Sequence, residues 1–320
     1  MARYAKISVL SQPQLAFPTF STSPEELFKR MVPHLKAHLD NALRDKPDLI
    51  VLPEACDRYY NMPLPERIQY YRYRGNKILD FYREQAKQHH CYIAYSACRE
   101  VCREAELPFR NSTQIIGRDG NVVGIYDKNH LVPAELEEGK IAYGTEAPIF
   151  ELDFGRVGCA ICFDLNYDEL LYRYVEQKPE LILFSSMYHG GMVQEKWALT
   201  CRSYFAGAIH NKKSRILNPV GEELAHTSDG FWYATQKINL DYAMVHLDHN
   251  YFGENKLAAV KEKYGDLFVI HNPDHLGYVM ISYEGTDRTI MDIVKEFKLT
   301  LLDDYFNNCR THRNTHMNHY

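Results

Sequence analysis

The sequence predicts an α/β protein built around a mixed sheet. Strand-like and helix-like runs alternate along its 320 residues, which is the pattern of a layered α/β domain. An apolar run at 49–52 and a small-residue run at 156–162 are typical of buried strands. Apolar residues make up 45% of the chain, enough to bury a large core.

The first half of the chain begins with a strand and an amphipathic helix. The strand covers 6–12, and the helix covers 24–44 with Ser23 as its cap, because apolar residues recur there at helical spacing. A turn signal at 118–121 predicts a hairpin. The further predicted elements are strands at 49–52, 91–98, 113–116 and 122–126 and a helix at 76–90.

In the second half, the strand at 156–162 leads through a turn into a helix at 168–176. The remaining predicted elements are a strand at 181–185, one long helix at 192–210, a hairpin formed by 215–219 and 221–225, and a strand-rich stretch at 233–245. Beyond residue 250 we expect a helix at 257–264, a strand at 279–282 and a helix at 289–298, without a core of their own. The polar end, 312–320, is expected to fray.

Composition weighs against several classes of function. A net charge of −5 disfavours a general nucleic-acid binder. No run of about 18 apolar residues occurs, so no membrane helix is expected, and the start of the chain does not look like a signal peptide. Eight scattered cysteines favour reduced thiols. We therefore expect a cytoplasmic protein that binds a small molecule and contacts neither nucleic acid nor membrane.

Three distant segments each end in one reactive side chain: Glu54, Lys128 and Cys162. A thiol is mostly protonated at neutral pH, so it needs a neighbouring base or positive charge to act as a nucleophile. Glu54 could take that proton and return it to a leaving amine. Lys128 and the backbone N–H of Phe163 could stabilise an oxyanion, at about 3–4 kcal/mol per good donor. Such a set suits hydrolysis of an unactivated C–N bond.

The order Glu54, Lys128, Cys162 resembles the nitrilase superfamily of carbon–nitrogen hydrolases. The resemblance implies a four-layer α-β-β-α sandwich, with the three residues acting as base, oxyanion stabiliser and nucleophile, and no cofactor. It implies a hydrolase domain at 1–250. Residues 251–320 then form a C-terminal extension that packs on the domain or on a partner subunit, and a homo-oligomer is expected.

Further site residues follow from the same resemblance. A second glutamate after the lysine orders the site in the family, and Glu135 fits better than Glu137 or Glu138 because it follows Val-Pro-Ala. Loops after two of the strands are expected to shape the substrate pocket. The predicted substrate-binding residues are Tyr60, Asn61, Phe163, Tyr188 and His189.

The residues after the nucleophile bear on the substrate. Family members that act on carboxylate-bearing substrates often have an arginine where this chain has Asn166, and typical nitrilases have Trp-Glu where it has Phe163-Asp164. The sequence therefore favours a neutral linear amide. The alternatives are an N-carbamoyl amidohydrolase of the ureidopropionase kind, a nitrilase, and a non-catalytic binding protein. Arg58 or Arg202 could still supply a positive charge from another loop.

Metal binding is not expected. Cys159 and Cys162 have a C-x-x-C spacing, but strand alternation places residues three apart on opposite faces. His34 and His38 are four apart on a helix without the glutamate of a zinc protease motif between them.

Overall fold

The computed structural model describes residues 1–272 and 276–317. Contacts divide the chain into two compact units. The larger is Ala5–Lys237, and the smaller combines Met1–Tyr4 with the segment that starts at Ile238. The domain boundary that the sequence places after residue 250 stays a prediction.

Helices and strands alternate along most of the chain. The helices are α1 (Pro24–Leu43), α2 (Leu64–Arg74), α3 (Lys77–His89), α4 (Pro133–Glu137), α5 (Asp168–Gln177), α6 (Val193–Cys201), α7 (Lys256–Tyr264), α8 (Ile290–Glu296) and α9 (Leu302–His316). The strands are β1 (Tyr4–Leu10), β2 (Leu49–Val51), β3 (Tyr92–Glu100), β4 (Phe109–Ile116), β5 (Val122–Asp127), β6 (Phe150–Leu152), β7 (Gly155–Ile161), β8 (Leu181–Ser186), β9 (Tyr204–Ile209), β10 (Arg215–Leu217), β11 (Glu223–His226), β12 (Tyr233–Asn239), β13 (Tyr242–His246), β14 (Phe268–His271) and β15 (Tyr278–Tyr283). Within the described ranges, no helix is both long and apolar enough to span a membrane.

Two six-stranded sheets form the centre of the larger unit. Their strand orders are β12-β1-β2-β3-β4-β5 and β11-β10-β9-β8-β7-β6. Parallel pairs lie in the middle of each sheet, and antiparallel pairs lie towards the edges. The sheets contact each other through β2 with β8 and β9, and through β4 with β7. Helices α1 to α3 pack on the first sheet and α5 and α6 on the second, so the four-layer α-β-β-α sandwich is confirmed.

The local sequence of helix α1 accounts for where the helix begins and which of its faces is buried. Ser23 and Glu26 form a reciprocal capping box at its start. Leu27, Met31, Leu35 and Leu39 are fully buried on one face, as the helical spacing of apolar residues predicts.

The long helix predicted at 192–210 is wrong. Helix α6 ends at Cys201, Arg202 takes a left-handed conformation with φ of 54°, and 204–209 is strand β9. Every residue of β9 is buried between parallel β8 and antiparallel β10. A strand buried on both faces is apolar throughout and lacks alternation, so its pattern resembles a buried helix.

The smaller unit has a core of its own, which corrects the sequence expectation. Its sheet has the order β13-β15-β14, and Val245, Phe268, Val279 and Ile293 are among its fully buried residues. The expected helices and strand appear as α7, α8 and β15. Helix α9 was not predicted, and it includes part of the end expected to fray; residues 318–320 of that end lie outside the described residues.

Candidate active site

One buried ammonium joins two carboxylates at the end of β5. Lys128 directly follows this strand and is 2% exposed. Its Nζ lies 3.0 Å from Glu54 Oε1 and 2.7 Å from Glu135 Oε2. Asn111 on β4 donates from Nδ2 to Oε1 of both glutamates, at 2.8 and 2.9 Å. Side chains from separate segments therefore converge on one cluster, and Glu135 is the glutamate of its acidic stretch that contacts Lys128.

The loop that carries Glu54 is fixed by buried polar contacts. The carboxylate of Asp57 pairs with the guanidinium of Arg74 and accepts the hydroxyl of Tyr95 at 2.6 Å. The ring of His210 lies 2.8 Å from the backbone carbonyl oxygen of Glu54. These contacts hold the backbone next to the reacting carboxylate, which is itself only 4% exposed.

Cys162 occupies a sharp turn between β7 and α5. Its φ is 49°, a left-handed conformation that costs a non-glycine residue free energy and must be held by its surroundings. The carboxylate of Asp164 provides that hold: it accepts the N–H of Ile161 at 3.0 Å, the N–H of His130 at 2.7 Å and the hydroxyl of Tyr126 at 2.6 Å. The same carboxylate thus ties the thiol-bearing turn to the segment that carries Lys128.

The thiol of Cys162 is held protonated at rest. Burial and the negative charge of Glu54 raise its pKa to about 12, although Lys128 and the backbone amide of Met187 act in the opposite direction. Burial also favours the protonated form of Glu54, but the charge and hydrogen bond of Lys128 and the charge of Arg58 hold the pKa of Glu54 below its usual value. The resting pair is therefore a neutral thiol beside an ionised carboxylate.

One oxygen of Glu54 remains available. Oε1 accepts hydrogen bonds from Lys128 and Asn111, whereas Oε2 is buried and has no hydrogen-bond partner among the described residues. Burial disfavours the charged form of Lys128. The pKa of Lys128 is nevertheless raised above its usual value by Glu54, Glu135 and Cys162, so the ammonium persists. The cluster combines a thiol, a carboxylate with a free oxygen and a fixed cation.

A family model described as carbon–nitrogen hydrolase matches residues 12–211, a range that includes Glu54, Lys128 and Cys162. The chain belongs to the carbon–nitrogen hydrolase family. Membership of the nitrilase superfamily, which the sequence resembles, is confirmed by its relatives and structural neighbours.

Relatives of this carbon–nitrogen hydrolase carry several names. The deaminated glutathione amidase of Dictyostelium discoideum is 24% identical over 256 residues, 70% of this chain and 86% of the relative. The β-ureidopropionase of Arabidopsis thaliana is 24% identical over 66% of this chain, which spans only 54% of that relative. The solved structure of an amidase from Nesterenkonia sp. has a TM-score of 0.62 and 14% identity, and the match covers 73% of this chain and 90% of that chain. The solved structure of a carbon–nitrogen hydrolase from Helicobacter pylori has a TM-score of 0.62 and 18% identity, and the match covers 75% of this chain and 90% of that chain.

The predicted substrate-binding residues lie in different surroundings in this hydrolase. Tyr60 and Asn61 line a cavity of about 390 Å³. Burial and the neighbouring thiol of Cys162 raise the pKa of Tyr188 to about 12. Phe163 packs edge-on against Tyr167. His189 contacts its own loop, where its Nδ1 accepts the N–H of Gly191 and its backbone carbonyl accepts a hydrogen bond from Gln194. Substrate contact by these residues stays a prediction.

Sequence reasoning missed Asn111, Asp164 and Met187. Asn111 lies in the polar run 110–114 of β4, where Ser112, Thr113 and Gln114 are also buried, so the sequence does not distinguish it from its neighbours. The roles of Asp164 and Met187 depend on chain segments that meet only in the fold, so no local pattern marks them.

Proposed function

We propose that this carbon–nitrogen hydrolase cleaves the non-peptide C–N bond of a linear amide through a thioester on Cys162, releasing ammonia or an amine. The observation that carries the proposal is the neutral thiol beside the ionised Glu54, whose Oε2 is free, with the ammonium of Lys128 on the other oxygen. It acts on a small molecule without a cofactor, in the cytoplasm, as a homo-oligomer.

Acylation begins when Cys162 Sγ attacks the amide carbon and its proton passes to Glu54 Oε2. The tetrahedral intermediate carries an oxyanion, which the ammonium of Lys128 and the N–H of Phe163 stabilise. Its collapse breaks the C–N bond, and Glu54 gives the proton to the departing nitrogen. A thioester on Cys162 and an ionised Glu54 remain.

Deacylation uses the same groups a second time. Glu54 takes a proton from water, whose oxygen attacks the thioester carbon. A second oxyanion forms, the C–S bond breaks, and the proton returns to the sulfur. Glu135 and Asn111 act as positioning residues, because they hold Lys128 and Glu54 in register through hydrogen bonds.

Related proteins support this reaction. One structure of the amidase from Nesterenkonia sp. AN1 shows acrylamide added to the active-site cysteine of that enzyme. The Dictyostelium relative is named for amide hydrolysis. The Arabidopsis relative named β-ureidopropionase favours N-carbamoyl hydrolysis as the second candidate.

A substrate panel tests the proposed function. Purified protein is incubated with simple linear amides, N-carbamoyl amino acids and nitriles, and both ammonia and carbon dioxide are followed. We expect ammonia without carbon dioxide from amides. Stoichiometric carbon dioxide from a preferred N-carbamoyl acid would select the second candidate, and no turnover of any class would contradict both.

A further inference from the structure

His210 is a buried histidine that connects the two sheets beside the candidate active site. It directly follows β9 of the second sheet and is 4% exposed. Its Nε2 lies 2.8 Å from the backbone oxygen of Glu54, and its Nδ1 lies 2.8 Å from the backbone oxygen of Gln12. Glu54 and Gln12 lie just after β2 and β1, which are neighbours in the first sheet. The imidazole therefore reaches from one sheet to the backbone next to the proposed base.

The carbonyls of Gln12 and Glu54 compete for one ring proton. Burial lowers the pKa of His210, although both carbonyls and the charge of Glu54 act in the opposite direction, and the nearby guanidinium of Arg58 lowers it further. The ring is then neutral at neutral pH, with one N–H and one unprotonated nitrogen, so it donates to one carbonyl only. Among the residues that the structure describes, no backbone N–H donates to either carbonyl. The ring proton therefore decides which of the two carbonyls is held.

The backbone after Glu54 is the segment that needs this hydrogen bond. Ala55 has a φ of 46°, in the left-handed region, which costs a non-glycine residue free energy and must be held by its surroundings. The carbonyl of Glu54 belongs to the planar peptide unit that leads into Ala55, so a hydrogen bond to this oxygen helps to fix that φ. Gln12 is held in another way, because its side chain donates from Nε2 to the backbone oxygen of Cys56 at 3.1 Å. A proton on Nε2 of His210 therefore stabilises the conformation beside the carboxylate.

We propose that His210 is a positioning residue for Glu54: its Nε2–H donates to the backbone carbonyl of Glu54 and keeps the carboxylate in register with Cys162 and Lys128. Both ring nitrogens contact backbone oxygens, so the ring acts through the peptide and not on the reacting atoms. The free Oε2 of Glu54 thereby stays in place to take the thiol proton. The inference rests on the proposed role of Glu54 as the base and adds the group that orients it.

Two amide side chains distinguish the ring nitrogens. The amide nitrogen of glutamine reaches about as far as Nε2 of histidine, and that of asparagine about as far as Nδ1. His210→Asn should lower kcat by about tenfold to a hundredfold with little change in KM, because Glu54 is misplaced. His210→Gln should recover most of the rate. His89→Asn and His89→Gln, at an exposed histidine of α3, are the controls and should change neither constant.

A measurement without amide cleavage separates this inference from the proposed function. Alkylation of Cys162 by iodoacetamide, followed by mass spectrometry, requires the thiol proton to pass to Glu54 but requires no hydrolysis. We expect His210→Asn to slow this alkylation by about tenfold or more, and His210→Gln to restore it. This pattern supports the positioning role even if no amide in the substrate panel is cleaved.

The position of the ring proton is measured on the unchanged protein and does not depend on the folding of a variant. Nitrogen-15 NMR of protein labelled in its histidine rings distinguishes a protonated from an unprotonated ring nitrogen. We expect Nε2 of His210 to carry the proton at neutral pH. A proton on Nδ1 alone, or folded Asn and Gln variants that turn over and are alkylated at equal rates, overturns the proposal.

Discussion

At the residue scale, the site keeps a protonated thiol next to an ionised carboxylate. Many thiol enzymes lower the pKa of the cysteine so that the thiolate exists before substrate arrives. Here burial and Glu54 raise the pKa of Cys162, and Lys128 holds the pKa of Glu54 down. In the proposed reaction the proton therefore moves during the attack, and we expect the rate to depend on Glu54 being ionised.

This arrangement predicts a broad pH profile of kcat/KM for a substrate that does not ionise. Activity should fall on the acid side only below the usual glutamate pKa of about 4.3, as Glu54 gains a proton. Titration of Cys162, with its pKa near 12, should cause no fall at neutral or mildly alkaline pH. Initial rates across the stable pH range check this, and an acid limb near neutrality would contradict it.

Lys128→Met should lower kcat by about a hundredfold or more, since the oxyanion loses a charged donor. The same change leaves the buried carboxylate of Glu54 and the half-buried carboxylate of Glu135 without their cation, so the acid limb should move to higher pH and stability should fall by about 3–5 kcal/mol. Lys36→Met, which removes an exposed lysine paired with Asp40, is the control and should change stability by less than about 1 kcal/mol. A rise in KM at normal kcat would assign Lys128 to binding instead.

At the element scale, strand ends and one turn assemble the site. Glu54, Lys128 and Cys162 follow β2, β5 and β7, which lie in two different sheets. Asp164 fixes the turn between β7 and α5 by contacts to both sides of the site. The position of the thiol therefore depends on a side chain that need not touch substrate.

Asp164→Asn tests this positioning role. Both carboxylate oxygens of Asp164 accept hydrogen bonds, and asparagine has an NH2 group in place of one of them. That NH2 group would face other donors, so we expect a loss of about 2–4 kcal/mol of stability. A misplaced thiol should lower kcat more than it changes KM. Asp168→Asn, at an exposed aspartate paired with Lys196, should change neither stability nor kcat. A folded Asp164→Asn protein with normal kcat would show that the turn keeps its conformation without the carboxylate of Asp164.

Much of this assembly could be predicted from sequence, and the reasons are local. The runs before Glu54 and Cys162 are short, apolar and bounded by turn residues, so they could be assigned as strands. Strand β9 could not, because a strand buried on both faces has no alternation to distinguish it from a helix.

At the scale of the whole molecule, one sequence argument for a homo-oligomer, a C-terminal segment without a core, no longer holds. The C-terminal segment has its own core. The family resemblance still implies association. Sedimentation at micromolar concentration should show at least a dimer of the 37.4 kDa chain, and a single monomeric species would contradict that prediction.

If Cys162 is the nucleophile, ammonia release should depend on its thiol, and Cys162→Ala removes that thiol. The matched control is Cys159→Ala, which removes a fully buried thiol from the preceding strand. With both variants folded by circular dichroism, Cys162→Ala should lose at least about a thousandfold in kcat, while Cys159→Ala should keep most of its activity. Turnover by folded Cys162→Ala above a few percent of that of the unchanged protein would show that another residue is the nucleophile.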